Sequence, residues 1–90
     1  MIYSRPRYER AWRKLTPAQQ AAVNAAIARF ESAFGQPHAH SSLGLRRFGP
    51  YFEFRVGLGL RVLFLHDQGD LFLCFVGNHD QVRAFIKQGN

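Results

Sequence analysis

Residues 51–76, YFEFRVGLGLRVLFLHDQGDLFLCFV, decide the fold of this 90-residue chain. Large apolar residues first alternate with other residues and then fill nearly every position. Glycine-containing stretches at 57–59 and 68–69 interrupt the pattern, as hairpin loops do. The stretch therefore predicts antiparallel strands at about 51–56, 60–66 and 71–76.

Helical spacing precedes this stretch. A first short helix is predicted by apolar residues at positions i, i+3, i+4 and i+7, namely Tyr8, Ala11, Trp12 and Leu15. Thr16 and Gln19 form the pattern of a capping box around Pro17, which begins a second helix. The buried stripe of that helix is expected to be Val23, Ala26, Ile27, Phe30 and Phe34, with Gly35 at its end.

The remaining segments complete the predicted order of elements. A polar connection at 36–42 leads to a strand at about 43–48, and residues 2–4 could add a short edge strand. Helical spacing of apolar residues at 80–87 predicts a short closing helix. The chain is therefore predicted to be α+β, a single domain over 1–90. Two N-terminal helices should pack on one face of an antiparallel meander sheet.

Charge and cysteine content restrict the class of protein. The formal net charge is +6, and ten of the twelve basic residues are Arg, which favours a polyanionic partner. Five of these cations crowd the first helix, namely Arg5, Arg7, Arg10, Arg13 and Lys14, either as a solvated face or as contacts to the phosphates of a nucleic acid. The single Cys74 excludes an intramolecular disulfide framework. No apolar run could span a membrane and no signal peptide is recognisable, so a cytoplasmic protein is expected.

The register of the first hairpin brings two arginines together. Matching large apolar residues across the loop at 57–59 pairs Val56 with Leu60, Phe54 with Val62 and Phe52 with Phe64. The same register sets Arg55 directly opposite Arg61, with Glu53 on the same face. Like charges in direct opposition destabilise a strand pair, so an anion is expected between the two guanidinium groups.

The second hairpin extends this cluster. A two-residue loop at 68–69 would pair Leu65 with Phe72, Leu63 with Cys74 and Arg61 with Val76. The chain would then leave the sheet at 77–80, beside Arg61. His79 would therefore join Glu53, Arg55 and Arg61 at one end of one face.

These residue types suit the cleavage of RNA by attack of its own 2′-hydroxyl. That reaction needs proton transfer at two oxygens and cations for the charge on the phosphorus. Histidine can serve as the acid or the base, Glu53 could act as a second base, and the arginines would hold the phosphate. Such chemistry needs no metal, and neither a metal nor a cofactor is expected.

Three segments, together with the helical hairpin, resemble the RelE/ParE toxin superfamily of bacterial toxin–antitoxin pairs. They are Leu45-Arg46-Arg47, Arg61-Val-Leu-Phe and Val76-Gly-Asn-His-Asp-Gln-Val82. The resemblance runs from Tyr8 to Ile86. It implies a compact sheet with paired helices on one face. RelE-type members cleave mRNA in the ribosomal decoding site, whereas ParE-type members poison DNA gyrase without being nucleases.

The resemblance also implies roles for individual residues. Arg61 matches the strand arginine on the scissile phosphate, and Glu53 and Arg55 fall where members carry assisting basic side chains. His79 falls where members carry Arg or His. The late Tyr of many RelE-type members has no clear counterpart. The residues nearest to that position are Arg83 and Phe85, of which Phe85 would stack on a base or pack.

The resulting hypothesis is a ribosome-dependent mRNA endoribonuclease. Its catalytic residues would be Arg61, His79, Arg55 and Glu53, and its RNA-binding residues Arg46, Arg47, Arg83 and Phe85. An acidic antitoxin, or a second copy of the chain, is expected to cover the apolar surface left opposite the helical hairpin. Two alternatives stay open: a gyrase poison of the ParE type, and an inactive basic RNA-binding or interaction module.

Overall fold

The computed structural model describes residues 1–33, 45–57 and 59–88. Within these ranges the elements, in chain order, are β1 (Ile2–Ser4), α1 (Pro6–Arg13), α2 (Pro17–Ala33), β2 (Arg46–Phe48), β3 (Tyr51–Val56), β4 (Leu60–Asp67), β5 (Asp70–Gly77) and α3 (His79–Lys87). All five strands form one sheet in the order β1-β5-β4-β3-β2. The α+β class is confirmed.

The sheet is mixed, whereas an antiparallel meander was predicted. Strands β2 to β5 do form an antiparallel meander, but β1 pairs with β5 in parallel. The backbone N–H of Leu71 donates to the carbonyl of Met1, and that of Arg5 donates to the carbonyl of Leu73, each at 2.9 Å. The edge strand suggested by residues 2–4 therefore covers the open edge of β5. Residues 43 and 44 of the predicted strand lie outside the described residues.

The predicted start of α2 is confirmed. The N–H of Gln19 donates to Thr16 Oγ1 at 3.1 Å, and the N–H of Thr16 donates to Gln19 Oε1 at 2.9 Å. These two bonds are the reciprocal pair of a capping box, which occupies backbone groups that a helix start leaves unpaired. The predicted stripe member Phe34 and the predicted helix end at Gly35 lie outside the described residues.

Phe30 anchors α2 on the sheet. Its ring stacks on that of Phe54, with centroids 5.0 Å apart, and meets Phe64 edge-on at 4.8 Å. Phe30 belongs to a core that α1 and α2 build on one face of the sheet. Helix α3 builds a second, smaller core on the opposite face from Leu63, Cys74, Val82 and Phe85. The sheet therefore lies between two helical layers of unequal size.

A β-bulge at Cys74 changes the predicted register of the second hairpin. Leu65 pairs with Phe72 as predicted, but Leu63 pairs with Phe75 and Arg61 pairs with Gly77. The predicted pairs of Leu63 with Cys74 and of Arg61 with Val76 are therefore wrong. Cys74 is the extra residue, since Phe64 pairs with Leu73 and Leu63 with Phe75. A bulge places two residues of one strand against one residue of its partner.

The bulge turns Cys74 and Phe75 toward α3, while Leu73 and Val76 face α1 and α2. The Cys74 thiol donates to the carbonyl of Phe72 at 3.4 Å. Burial raises the pKa of Cys74, and the positive charge of Arg5 opposes that rise. The neutral thiol is therefore favoured, as in a packing cysteine.

The hydroxyl of Tyr8 provides a test of the packing of α1. Tyr8 is 5% exposed, its hydroxyl has no hydrogen-bond partner among the described residues, and burial raises its pKa to about 12. A buried hydroxyl without a partner costs free energy, so Tyr8→Phe should raise the free energy of unfolding by about 1 kcal/mol at neutral pH. Above pH 10 the Tyr8 hydroxyl of the parent ionises in the unfolded state and stays neutral in the folded state. The difference in free energy of unfolding between Tyr8→Phe and the parent should therefore widen up to about pH 12.

Urea denaturation between neutral and alkaline pH measures both effects. Tyr3→Phe is the matched control, because Tyr3 is 43% exposed. That variant should unfold like the parent at every pH. A loss of stability in Tyr8→Phe would contradict the assignment of Tyr8 as an unsatisfied buried donor.

Candidate active site

The two arginines of the first hairpin face each other as predicted. Arg55 on β3 pairs with Arg61 on β4 in the observed register, between the predicted apolar pairs. Directly paired residues of antiparallel strands project from the same face. That face is the one that α3 partly covers, because Leu63, two residues after Arg61, lies in the α3 core.

Glu53 forms an ion pair with Arg61, whereas Arg55 is exposed. Arg61 Nη1 donates to Glu53 Oε1 at 2.9 Å, and Glu53 is 2% exposed. A buried carboxylate requires such a partner, because desolvation without one is very costly. Arg55 is exposed, and no carboxylate lies within 4.0 Å of it in the described part of the chain. The geometry gives Glu53 the role of holding Arg61, and its role as a base stays a prediction.

The start of α3 lies beside Arg61 and carries His79. Gly77 pairs with Arg61, Asn78 is the N-cap, and His79 is the first, exposed residue of the helix. Asn78 and Gln81 form a capping box with bonds of 2.8 and 2.9 Å. A Cβ on Gly77 would lie 2.7 Å from Gln81 Oε1, so glycine lets the strand end directly against this cap. The predicted helix at 80–87 is confirmed, beginning one residue earlier.

An open groove of about 490 Å³ joins α3 to β2, and we call it the β2–α3 groove. Its lining is His79, Arg83, Ile86 and Lys87 of α3 with Phe48 of β2. Arg46 pairs with Glu53 and therefore projects from the same sheet face. The structure thus brings Arg46, Arg55 and Arg61 onto one face, with His79 and Arg83 on the helix above it.

Two predicted RNA-binding residues do not join this cluster. Arg47 pairs with Phe52 on the opposite face, where its guanidinium lies 5.4 Å from the Phe52 ring centroid and its Nε donates to the carbonyl of Gly49 at 3.2 Å. Phe85 is 4% exposed and packs between Phe75 and Tyr51. Of the two roles predicted for Phe85, the structure supports packing, because a buried ring offers no face to a base.

Lys87 is a groove residue that the sequence reasoning missed. It follows His79 and Arg83 at i+8 and i+4, so helical spacing alone would have placed all three on one stripe. Phe48 was missed as well, since only the pairing of β2 with β3 shows which face it occupies.

The described residues contain neither a cluster of metal ligands nor a membrane-spanning helix. No group of three or more His, Cys, Asp or Glu side chains within 1–33, 45–57 and 59–88 could hold a metal ion, and His38 and His40 lie outside these ranges. No helix in the described part is long and apolar enough to cross a membrane.

Comparisons with known proteins identify the fold. No protein-family model and no curated protein sequence matches the chain. Among solved structures, the isolated RelE toxin of E. coli aligns at a TM-score of 0.66 and 14% identity, covering 98% of this chain and 97% of that one. YafQ from E. coli strain BL21(DE3) aligns at 0.73 and 7% identity, covering 91% and 96%.

A third solved structure is the RelB–RelE antitoxin–toxin complex of Methanococcus jannaschii. It aligns at a TM-score of 0.70 and 8% identity, covering 92% of this chain and 96% of that one. All three alignments run over nearly the whole of both chains, so the likeness concerns the complete arrangement of helices and sheet. The chain therefore has the fold of the RelE toxins.

Proposed function

We propose that this protein is a toxin of the RelE type that cleaves mRNA on the ribosome without a metal. The observation that carries the proposal is the direct opposition of Arg55 and Arg61 on the sheet face where α3 begins with His79. Two guanidinium groups in direct opposition repel each other, and because Glu53 pairs with Arg61, a further anion is expected beside Arg55. A phosphodiester is such an anion, and arginine binds its oxygens in a bidentate manner.

Each group has a distinct part in the proposed reaction. Arg55 binds the non-bridging oxygens of the scissile phosphate, and Arg61, oriented by Glu53, presents its remaining N–H groups to the same oxygens. The 2′-hydroxyl loses its proton to water as the O2′–P bond forms. The imidazolium of His79 protonates the departing 5′-oxygen as the P–O5′ bond breaks. Arg46 and Arg83 hold the neighbouring phosphates.

The proposed partners follow from charge and from the structural neighbours. A chain with a net charge of +6 suits an acidic antitoxin as well as RNA. One structural neighbour is a RelE toxin in complex with its RelB antitoxin, which supports a cognate antitoxin here. A homodimer or a toxin–antitoxin hetero-oligomer would then be the resting form, and the site of action would be the cytoplasm.

A translation reaction tests the proposal. Purified protein is added to ribosomes translating a defined mRNA, and the 5′ ends of the fragments are mapped by primer extension. We expect cuts at defined codon positions with ribosomes and intact mRNA in the same mixture without them. Intact mRNA in both mixtures, together with DNA broken by gyrase, would support the ParE-type alternative. No effect on either target would leave the inactive RNA-binding module.

A further inference from the structure

The β2–α3 groove leads away from the two opposed arginines. Phe48 pairs with Tyr51, which lies four residues before Arg55 on β3. At about 3.4 Å per residue, Phe48 therefore lies about 14 Å along the sheet from the level of Arg55. Helix α3 runs in the same direction, because it begins beside Arg61 and its Phe85 ring meets the Tyr51 ring with centroids 5.7 Å apart. Both walls of the groove therefore run from the candidate active site to the end of β2.

The far end of the groove is apolar. Phe48 lines it from β2 and Ile86 lines it from α3, and both side chains are partly exposed. Ile86 packs against the α3 core, whereas Phe48 belongs to neither of the two cores. No aromatic ring within 1–33, 45–57 and 59–88 stacks on Phe48. A face of the Phe48 ring is therefore available to a flat ligand that lies between the two walls.

A tight turn holds Phe48 in place. It is the last residue of β2 and pairs with Tyr51, so that Gly49 and Pro50 form the turn between them. Gly49 has a φ of 56°, which glycine adopts at no steric cost, and the ring of Pro50 fixes its own φ. From the opposite face of the sheet, Arg47 Nε donates to the carbonyl of Gly49 at 3.2 Å. The position of the Phe48 ring is therefore set before any ligand binds.

Cations border this apolar end along α3. His79, Arg83 and Lys87 follow one another at i, i+4 and i+8, which makes a stripe about 12 Å long at 1.5 Å per residue. Among the described residues, no carboxylate lies within 4.0 Å of these three side chains, and none lines the groove. An RNA strand can therefore lay its phosphates along α3 and turn a base toward Phe48.

The length and direction of the groove indicate which nucleotides would enter it. A stacked strand rises about 3.4 Å per nucleotide, so a distance of about 14 Å corresponds to at most about four nucleotides. His79 lies at the end of the groove nearest the arginines. In the proposed reaction His79 protonates the departing 5′-oxygen, which belongs to the nucleotide on the 3′ side of the cut. The nucleotides that follow the cut are therefore the ones that run along the groove.

We propose that Phe48 and Ile86 form a stacking site for a nucleobase of the cleaved mRNA, within about four nucleotides on the 3′ side of the cut. The inference rests on the proposed function, because the reaction defines which strand enters the groove. Single-stranded RNA is commonly bound by stacking its bases on aromatic side chains, and every base has a face that can stack. The site therefore fixes the position of the strand and does not read the identity of the base.

Fluorescence anisotropy of the full chain tests this proposal with two labelled pentanucleotides. Both have methylated 2′-hydroxyls, so that neither can be cleaved. One carries all its bases, and the other is abasic throughout and has the same phosphates. The parent should bind the first more tightly. Phe48→Leu keeps an apolar side chain but removes the ring, so it should reduce the ratio of the two affinities about tenfold and leave the affinity for the abasic probe unchanged.

Tyr3→Leu is the matched control, because it removes a ring from the strand at the other edge of the sheet. Tyr3 stacks on Phe72 with centroids 5.3 Å apart, and β1 and β2 are the two edge strands of the sheet. This variant should keep the affinity ratio of the parent. Phe48→Trp should keep it as well, because a larger ring still offers a stacking face.

Three results would overturn the stacking site. Equal weakening of both probes in Phe48→Leu would mean that the ring only maintains the shape of the groove. Unchanged binding of both probes would mean that no base contacts it. Loss of the affinity ratio in Phe48→Trp would exclude an aromatic platform.

Cleavage on ribosomes separates this inference from the proposed function. The mRNAs carry a single abasic nucleotide at successive positions after a mapped cut. At one position the abasic nucleotide should slow cleavage by the parent about tenfold, and Phe48→Leu should cleave the complete mRNA about as slowly. If the parent cleaves no mRNA but Phe48→Leu still loses the affinity ratio, the nuclease proposal fails and the stacking site stands. If the parent cleaves every abasic mRNA at the full rate, the stacking site fails and the nuclease proposal stands.

Discussion

Arg55→Gln should slow mRNA cleavage by about 10²–10³-fold at saturating ribosome concentration, the loss typical of removing one donor that stabilises a developing anion. Arg55 is exposed and lies directly opposite Arg61, so its replacement relieves repulsion and breaks no ion pair in the described part of the chain. The free energy of unfolding should therefore stay within about 0.5 kcal/mol of the parent. Single-turnover cleavage and urea denaturation of the same preparation measure the two quantities.

Arg47→Gln is the matched control for this experiment. It removes the same charge from a neighbouring strand on the opposite face of the sheet. Its cleavage rate should stay within about threefold of the parent, because no phosphate reaches that face in the proposed complex. Comparable losses in the two variants would reject the site, since position on the sheet would then have no influence on the reaction.

Arg61→Met should lower the free energy of unfolding by about 3–5 kcal/mol. The physical reason is Glu53, which is 2% exposed and would keep a buried carboxylate without its partner at 2.9 Å. Adding Glu53→Leu should restore most of the loss, because replacing both members of a buried pair by apolar residues is often neutral or stabilising. Equilibrium denaturation of the parent, the single variant and the double variant completes the comparison.

Arg55→Met is the control here, since it places the same side chain on the neighbouring strand and leaves the ion pair intact. It should cost less than about 0.5 kcal/mol. A loss of less than about 1 kcal/mol in the free energy of unfolding for Arg61→Met would mean that Glu53 does not depend on this arginine.

Arg61→Lys is the better variant for kinetics, because it keeps the charge beside Glu53 and removes the bidentate fork.

The accuracy of the sequence-based register depended on where polar residues interrupt the apolar pattern. In the first hairpin, Glu53 and Arg55 alternate with apolar residues, so a single register matches both strands, and the structure confirms it. In β5 every residue from Leu71 to Val76 is apolar, so an inserted residue leaves no trace in the pattern. The bulge at Cys74 could not be predicted for that reason. The parallel pairing of β1 depends on long-range contacts that no local pattern encodes.

The sequence could predict those features of the candidate site that depend on strand register. The opposition of Arg55 and Arg61 followed from turn length, but the choice of Glu53 between them depends on three-dimensional burial. Arg46 and Arg47 are successive residues of β2 and therefore lie on opposite faces of the sheet. Only the pairing of Arg46 with Glu53 shows which of them shares the face of the site. The burial of Phe85 could not be predicted either. Helical spacing indicates the direction of its side chain and not which residues cover it.

The position of α3 has a consequence for the newly synthesised protein. This helix forms one wall of the β2–α3 groove and is the last described element to leave the ribosome during translation. At about 5–20 residues per second, the sheet and the first two helices emerge earlier, without His79 or Arg83. A nascent chain therefore cannot assemble the candidate active site until α3 has left the ribosome. This delay would protect the ribosome that is making it.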